Sequence, residues 1–72
     1  MKLLESLLDE FRAFPPGTRA RALTYLRWGV LEVTANALIQ AKLDRWVSRL
    51  ERAGGPCLHR AVLHALEEAA AR

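Results

Sequence analysis

Two short clusters of proline and glycine divide the 72-residue sequence and limit where helices can begin and end. The first cluster, PPG, covers residues 15–17, and the second, GGP, covers residues 54–56. Proline cannot donate a backbone hydrogen bond, and Pro15 also disfavours helical geometry at Phe14. No proline occurs in residues 19–53, where good helix formers predominate, so this stretch is predicted to be one continuous helix about 50 Å long.

Apolar residues recur at spacings of three and four on both sides of this stretch, as they do on the buried face of an amphipathic helix. They are Leu3, Leu4, Leu7, Leu8, Phe11 and Phe14 before it, and Leu58, Val62, Ala65, Leu66 and Ala69 after it. The spacing predicts a first helix over 2–14, a turn over 15–18 ending in the helix cap Thr18, a turn over 54–55 and a last helix over 56–71. No segment has the strict alternation that is typical of a strand. We therefore expect an all-α fold, a single helical domain over 1–72 with three helices per chain, in which both outer helices form helical hairpins with one long central helix.

The apolar residues of the predicted central helix change sides halfway along it. Those of its first half are Leu23, Leu26, Val30, Val33 and Ala37, and those of its second half are Ile39, Leu43, Trp46, Val47 and Leu50. At about 100° per residue, the second set is rotated by roughly 140° from the first. Each half therefore needs its own cover, and the first and last helices are expected to supply it.

A third apolar strip, near the middle of the same helix, has no such cover, and its residues are Trp28, Leu31, Ala35 and Leu38. A chain of this length buries only about 60% of the surface that its unfolded form exposes, and the lone Cys57 excludes an internal disulfide. The strip therefore predicts a homodimer or a higher even-numbered oligomer, in which another copy of the chain completes the bundle. The alternative is a break at Gly29 or at 34–36, which gives a monomer of four helices.

Basic residues follow one side of the second half of the predicted central helix, at spacings of three, four and three. They are Lys42, Arg45, Arg49 and Arg52, with Arg27 higher on the same side. Such a stripe can lie along a phosphate backbone, which predicts nucleic-acid binding as an alternative function. The formal net charge of +3 fits both this hypothesis and a solvated face with short-range ion pairs.

Three residues near the end of the chain carry side chains that can bind metals: Cys57, His59 and His64. Their spacings of two and five do not bring the side chains together on a helix, where neighbours are three or four residues apart, so no metal site is predicted. Cys57 is expected to be a small, partly buried residue, His59 to face solvent and His64 to pair with Glu68. The sequence has no recognisable catalytic set, so neither enzyme activity nor a cofactor is expected.

These observations favour a small, homo-oligomeric helical protein that acts as an adaptor or regulator of a protein partner. A nucleic-acid-binding regulator is the alternative, and an enzyme or cofactor carrier is a third class supported only by the cysteine and the histidines. No apolar run approaches the roughly 18 residues that a membrane span needs, so no membrane association and a cytoplasmic location are expected.

Overall fold

The computed structural model of the chain describes residues 2–29 and 37–72. Four α-helices occur in these ranges: α1 (Lys2–Ala13), α2 (Pro16–Trp28), α3 (Ala37–Ala53) and α4 (Gly55–Ala70). The two ranges contain no strand, and they extend over 30 × 26 × 19 Å. The all-α class is therefore confirmed, whereas the count of three helices is wrong.

The predicted continuous helix over 19–53 is wrong because α2 ends at Trp28. Gly29 has φ 71° and ψ 17°, and its N–H donates to the Tyr25 carbonyl at 2.8 Å. This left-handed conformation ends a helix, and glycine adopts it readily because it has no Cβ to clash with the following carbonyl. The alternative with a break at Gly29 therefore describes the chain here, while the break considered at 34–36 lies outside the described residues.

Helices end and begin at the two clusters of proline and glycine, as predicted, but the residues at the helix starts differ from the predicted ones. Pro15, not Thr18, precedes the first residue of α2, and the Arg19 N–H donates to the Pro15 carbonyl at 2.9 Å. Pro16 can occupy the first helical position because its missing N–H would have no intrahelical partner there. At the other cluster, Gly55 has φ 71° and starts α4 one residue earlier than predicted.

The core contains the apolar faces predicted for the outer helices and for the second half of the predicted central helix. Its buried residues are Leu7, Phe11, Phe14, Ala22, Leu26, Leu43, Trp46, Leu50, Val62 and Leu66. Helix α4 packs against each of the other three helices and contributes Val62 and Leu66. The central element is thus α4, and not the predicted long helix, because the break at Gly29 lets α2 and α3 pack separately against it.

Candidate functional site

Two large apolar side chains are exposed in the described ranges. Trp28, the last residue of α2, is 70% exposed, and Leu38, the second residue of α3, is 80% exposed. Both belong to the strip predicted from the sequence, but they lie on two helices and not along one. The other two members of that strip, Leu31 and Ala35, lie outside the described residues.

Two contacts with α4 hold the end of α2 that carries Trp28. The His59 Nε2 lies 2.8 Å from the Leu26 carbonyl oxygen, and the Arg27 Nη2 lies 2.6 Å from the Glu67 Oε2. The last carbonyls of a helix have no partner within it, so a proton on Nε2 lets His59 satisfy one of them. The prediction that His59 faces solvent is wrong, and Trp28 projects from an anchored helix end.

An acidic residue of α1, Glu10, forms ion pairs with two cations of the predicted basic stripe. Glu10 lies 3.8 Å from both Lys42 and Arg49, through Oε1 and Oε2 respectively, and its Oε2 also accepts a hydrogen bond from Trp46 Nε1 at 3.3 Å. The Lys42 Nζ lies 5.6 Å from the centre of the Phe14 ring, within reach of a cation–π contact. Two of the stripe's four cations on α3 thus take part in contacts between α1 and α3.

Of the other three cations of the stripe, Arg27 lies on a different helix from Arg45 and Arg52. Arg27 is on α2 and pairs with Glu67, so it does not continue the face of α3. Arg45 and Arg52 are exposed on α3 and make no ion pair or hydrogen bond within the described ranges. Of the five cations predicted to form one set, two have no partner within residues 2–29 and 37–72.

A hydrogen bond between the side chains of Tyr25 and Asp44 links α2 to α3. The Tyr25 hydroxyl donates to Asp44 Oδ1 at 2.5 Å. This bond raises the pKa of Tyr25 above its ordinary value of 10.0. Partial burial and the negative charge of Asp44 raise the pKa in the same direction, but by less. The protonated hydroxyl therefore acts as a donor between helices, and sequence analysis did not single out either residue.

An open pocket of about 360 Å³ lies along α4, on the side opposite Val62 and Leu66. Its described lining consists of Pro56, Cys57, Arg60, Ala61 and His64. Cys57 is exposed, so the prediction that it is partly buried is wrong. Likewise, the His64 Nδ1 lies 3.8 Å from Glu67 Oε1, one position before the predicted partner. This pocket combines apolar walls with one exposed cation, Arg60.

Within the described ranges, no group of three or more histidine, cysteine, aspartate or glutamate side chains is arranged to hold a metal ion. None of the four helices described is long and apolar enough to cross a membrane. Comparison of the chain with protein-family models, with curated proteins and with solved structures finds no significant match.

Proposed function

We propose that this chain is a small homo-oligomeric interaction protein, an adaptor or regulator that binds partners and carries out no chemistry. The observation that carries the proposal is the exposure of Trp28 at the end of a helix that two contacts anchor to α4. Tryptophan buries a large apolar area on binding and is enriched among the residues that dominate interface energies. Because the helix end is anchored, less backbone freedom is lost when Trp28 binds a partner, which favours association.

A second copy of the chain is the proposed partner for this surface. A domain of this size has a small core for its surface, and association is a common way to bury more apolar area. In a two-fold dimer the same surface is used twice, so one exposed tryptophan per chain supplies two apolar contacts. The same proposal includes three expectations that rest on the sequence: no catalysis, no cofactor and a cytoplasmic location.

Analytical ultracentrifugation over a wide concentration range tests self-association directly. We expect a mass above the 8.1 kDa of one chain that rises with concentration, together with a melting temperature that rises in parallel. Trp28→Gln should shift both curves to higher concentration. Leu38→Gln measures how much the second exposed side chain contributes to self-association. Glu51→Gln, at another exposed position on α3, is the control. A mass of 8.1 kDa at every concentration contradicts the proposal.

Nucleic-acid binding is the second candidate function, and the two unpaired arginines of α3, Arg45 and Arg52, favour it. With two phosphate contacts per chain, the logarithm of the affinity should fall with the logarithm of the salt concentration with a slope of about 2. Arg45→Gln combined with Arg52→Gln should abolish this dependence, whereas Arg12→Gln on α1 should leave it unchanged. Absence of gel retardation of duplex DNA and RNA at low salt contradicts this candidate.

A further inference from the structure

The pocket on α4 has the chemistry of a site for an apolar or aromatic group. Pro56, Cys57 and Ala61 give it an apolar wall, and Arg60 and His64 are its polar members. Its volume of about 360 Å³ falls within the range of roughly 300–1,000 Å³ that is usual for ligand pockets. No acidic side chain is among the described lining residues.

Arg60 determines which apolar group fits best. Its side chain is exposed and makes no ion pair or hydrogen bond within the described ranges, so its guanidinium group is free to contact a ligand. A guanidinium group is attracted to the face of an aromatic ring, and tryptophan gives the strongest contact of this kind. An indole ring is therefore a better occupant than an aliphatic side chain of similar size.

The chain itself carries such a ring at an exposed position. Trp28 is 70% exposed and does not line the pocket of its own chain, so it does not fill the pocket from within. The positive charge of its neighbour Arg27 is paired with Glu67 at 2.6 Å, which reduces the repulsion between Arg27 and Arg60 of another copy. We propose that Trp28 of one copy occupies the α4 pocket of a second copy, an inference that rests on the proposed self-association.

Two-fold symmetry makes this contact reciprocal, because each copy then provides one ring and one pocket. A tryptophan side chain buries about 150–250 Å² on full burial, so two of them account for only part of the roughly 1,600 Å² of a standard interface. The dimer should therefore dissociate on dilution. Without the reciprocal closure, the same contact would produce an open chain of copies, whose mass keeps rising with concentration.

One spectroscopic signal and one chemical signal of the wild-type protein report on the contact. The sequence contains two tryptophans, of which Trp46 is only 1% exposed, so an emission change on dilution reports mainly on Trp28. Its emission should shift to shorter wavelength as the dimer forms. Cys57 is the only cysteine in the sequence and lines the pocket, so its alkylation rate should fall as the protein concentration rises.

Substitutions on both sides of the contact test the pairing. Trp28→Ala should raise the dimer dissociation constant at least about thirtyfold, as expected for the loss of a dominant interface residue. Ala61→Gln should have a similar effect, because a longer side chain at this exposed helical position fills the pocket without removing a contact of the fold. Arg60→Gln should weaken association severalfold, with Arg60→Lys in between. Ala70→Gln, at an exposed alanine of α4 outside this pocket, is the matched control.

The outcomes separate this inference from the proposed function. Loss of association in both Trp28→Ala and Ala61→Gln, with Cys57 protected only in the wild-type dimer, supports the pairing. If the wild-type protein associates but Ala61→Gln and the reactivity of Cys57 do not respond, the pairing is wrong while self-association stands. A monomer at all concentrations overturns both. Far-UV circular dichroism of each variant establishes that the helices are intact when association is lost.

Discussion

The two tryptophans of this chain lie in opposite environments although each is on a helix and within a predicted apolar strip. Trp46 is 1% exposed, its ring stacks on Phe14 with centres 5.6 Å apart, and its N–H donates to Glu10. Trp28 is 70% exposed at the end of α2. Residue type and local pattern are similar in the two regions, so the difference arises from which helix packs against each one.

Helix α1 and the residue that follows it make the difference, because they supply Glu10 and Phe14 to the surroundings of Trp46. The end of α2 is held just as specifically, by His59 and by the pairing of Arg27 with Glu67, but these contacts fix the backbone and do not cover the indole ring. Anchoring and burial are therefore separate properties of these two helix regions. A helix end that is anchored but not buried is suited to binding another molecule.

Replacing the buried tryptophan should give the largest effect. Trp46→Ala removes a fully buried side chain and should lower the free energy of unfolding by about 3–5 kcal/mol, which is enough to unfold many domains of this size. Trp28→Ala, measured at a concentration low enough for monomers, should change it by less than about 0.5 kcal/mol. Urea denaturation followed by circular dichroism measures both. Equal losses in the two variants would mean that Trp28 is buried within its own chain.

Removing the anchor of α2 should have a smaller effect. His59→Ala leaves the Leu26 carbonyl without its partner, and the unfolding free energy should fall by about 1–3 kcal/mol. His64→Ala is a suitable control, since His64 is on the same helix and its side chain is 72% exposed. Denaturation of the two variants in parallel separates the roles of the two histidines. A stability of His59→Ala equal to that of His64→Ala would argue that α2 is not anchored through this contact.

The ion pairs of Glu10 should contribute still less. Its distances to Lys42 and Arg49 are both 3.8 Å, and all three side chains are about one third exposed, so solvent and salt screen the interaction. Glu10→Gln keeps an acceptor for the Trp46 N–H and should lower the unfolding free energy by about 0.5–1 kcal/mol at low salt. The difference from wild type should shrink in 1 M salt, with Glu5→Gln as the control. A loss that is independent of salt would mean that the ion pairs of Glu10 do not cause it.

Loss of the bond between Tyr25 and Asp44 should give the smallest effect, and it tests whether this bond helps to hold α2 to α3. Because this bond raises the pKa of Tyr25, folding favours the protonated hydroxyl. Its contribution to stability is complete below the ordinary tyrosine pKa of about 10 and is lost as the pH rises through the higher value of the folded state. Tyr25 is the only tyrosine in the sequence, so absorbance at alkaline pH reports on it alone. Asp44→Asn should lower this pKa, and an unchanged titration would show that the bond does not form in solution.

The buried faces of the helices were predictable because they depend on local spacing. Leu7 and Phe11 on α1, Leu43 and Leu50 on α3, and Val62 on α4 follow from recurrences of three and four residues, and all of them are buried. The two turns were predictable for a similar reason, since proline and glycine act on their immediate neighbours.

The break at Gly29 and the polar contacts were not predictable in the same way. A single glycine costs a helix only about 1 kcal/mol, so the sequence permits both a continuous helix and a left-handed end, and tertiary packing decides between them. The bonds of Glu10 to Trp46 and of His59 to Leu26 join residues that are 36 and 33 positions apart. The position of Glu10 beside the buried Phe11 indicated only that it could reach a neighbouring helix, and the identity of that helix depends on the whole fold.

The short first helix has a consequence for the order in which the chain assembles. With 12 residues, α1 is at the lower limit for a helix that is stable in water on its own. Its contact with Trp46 closes a loop of 36 residues, whereas α3 and α4 are joined by a turn of one residue, Gly54. The hairpin of α3 and α4 should therefore have the lower entropic barrier to form, and we expect α1 to dock on it later. Local undocking of α1 would remove the hydrogen bond from Trp46 to Glu10, so we expect the exposed fraction of Trp46 to rise whenever α1 opens.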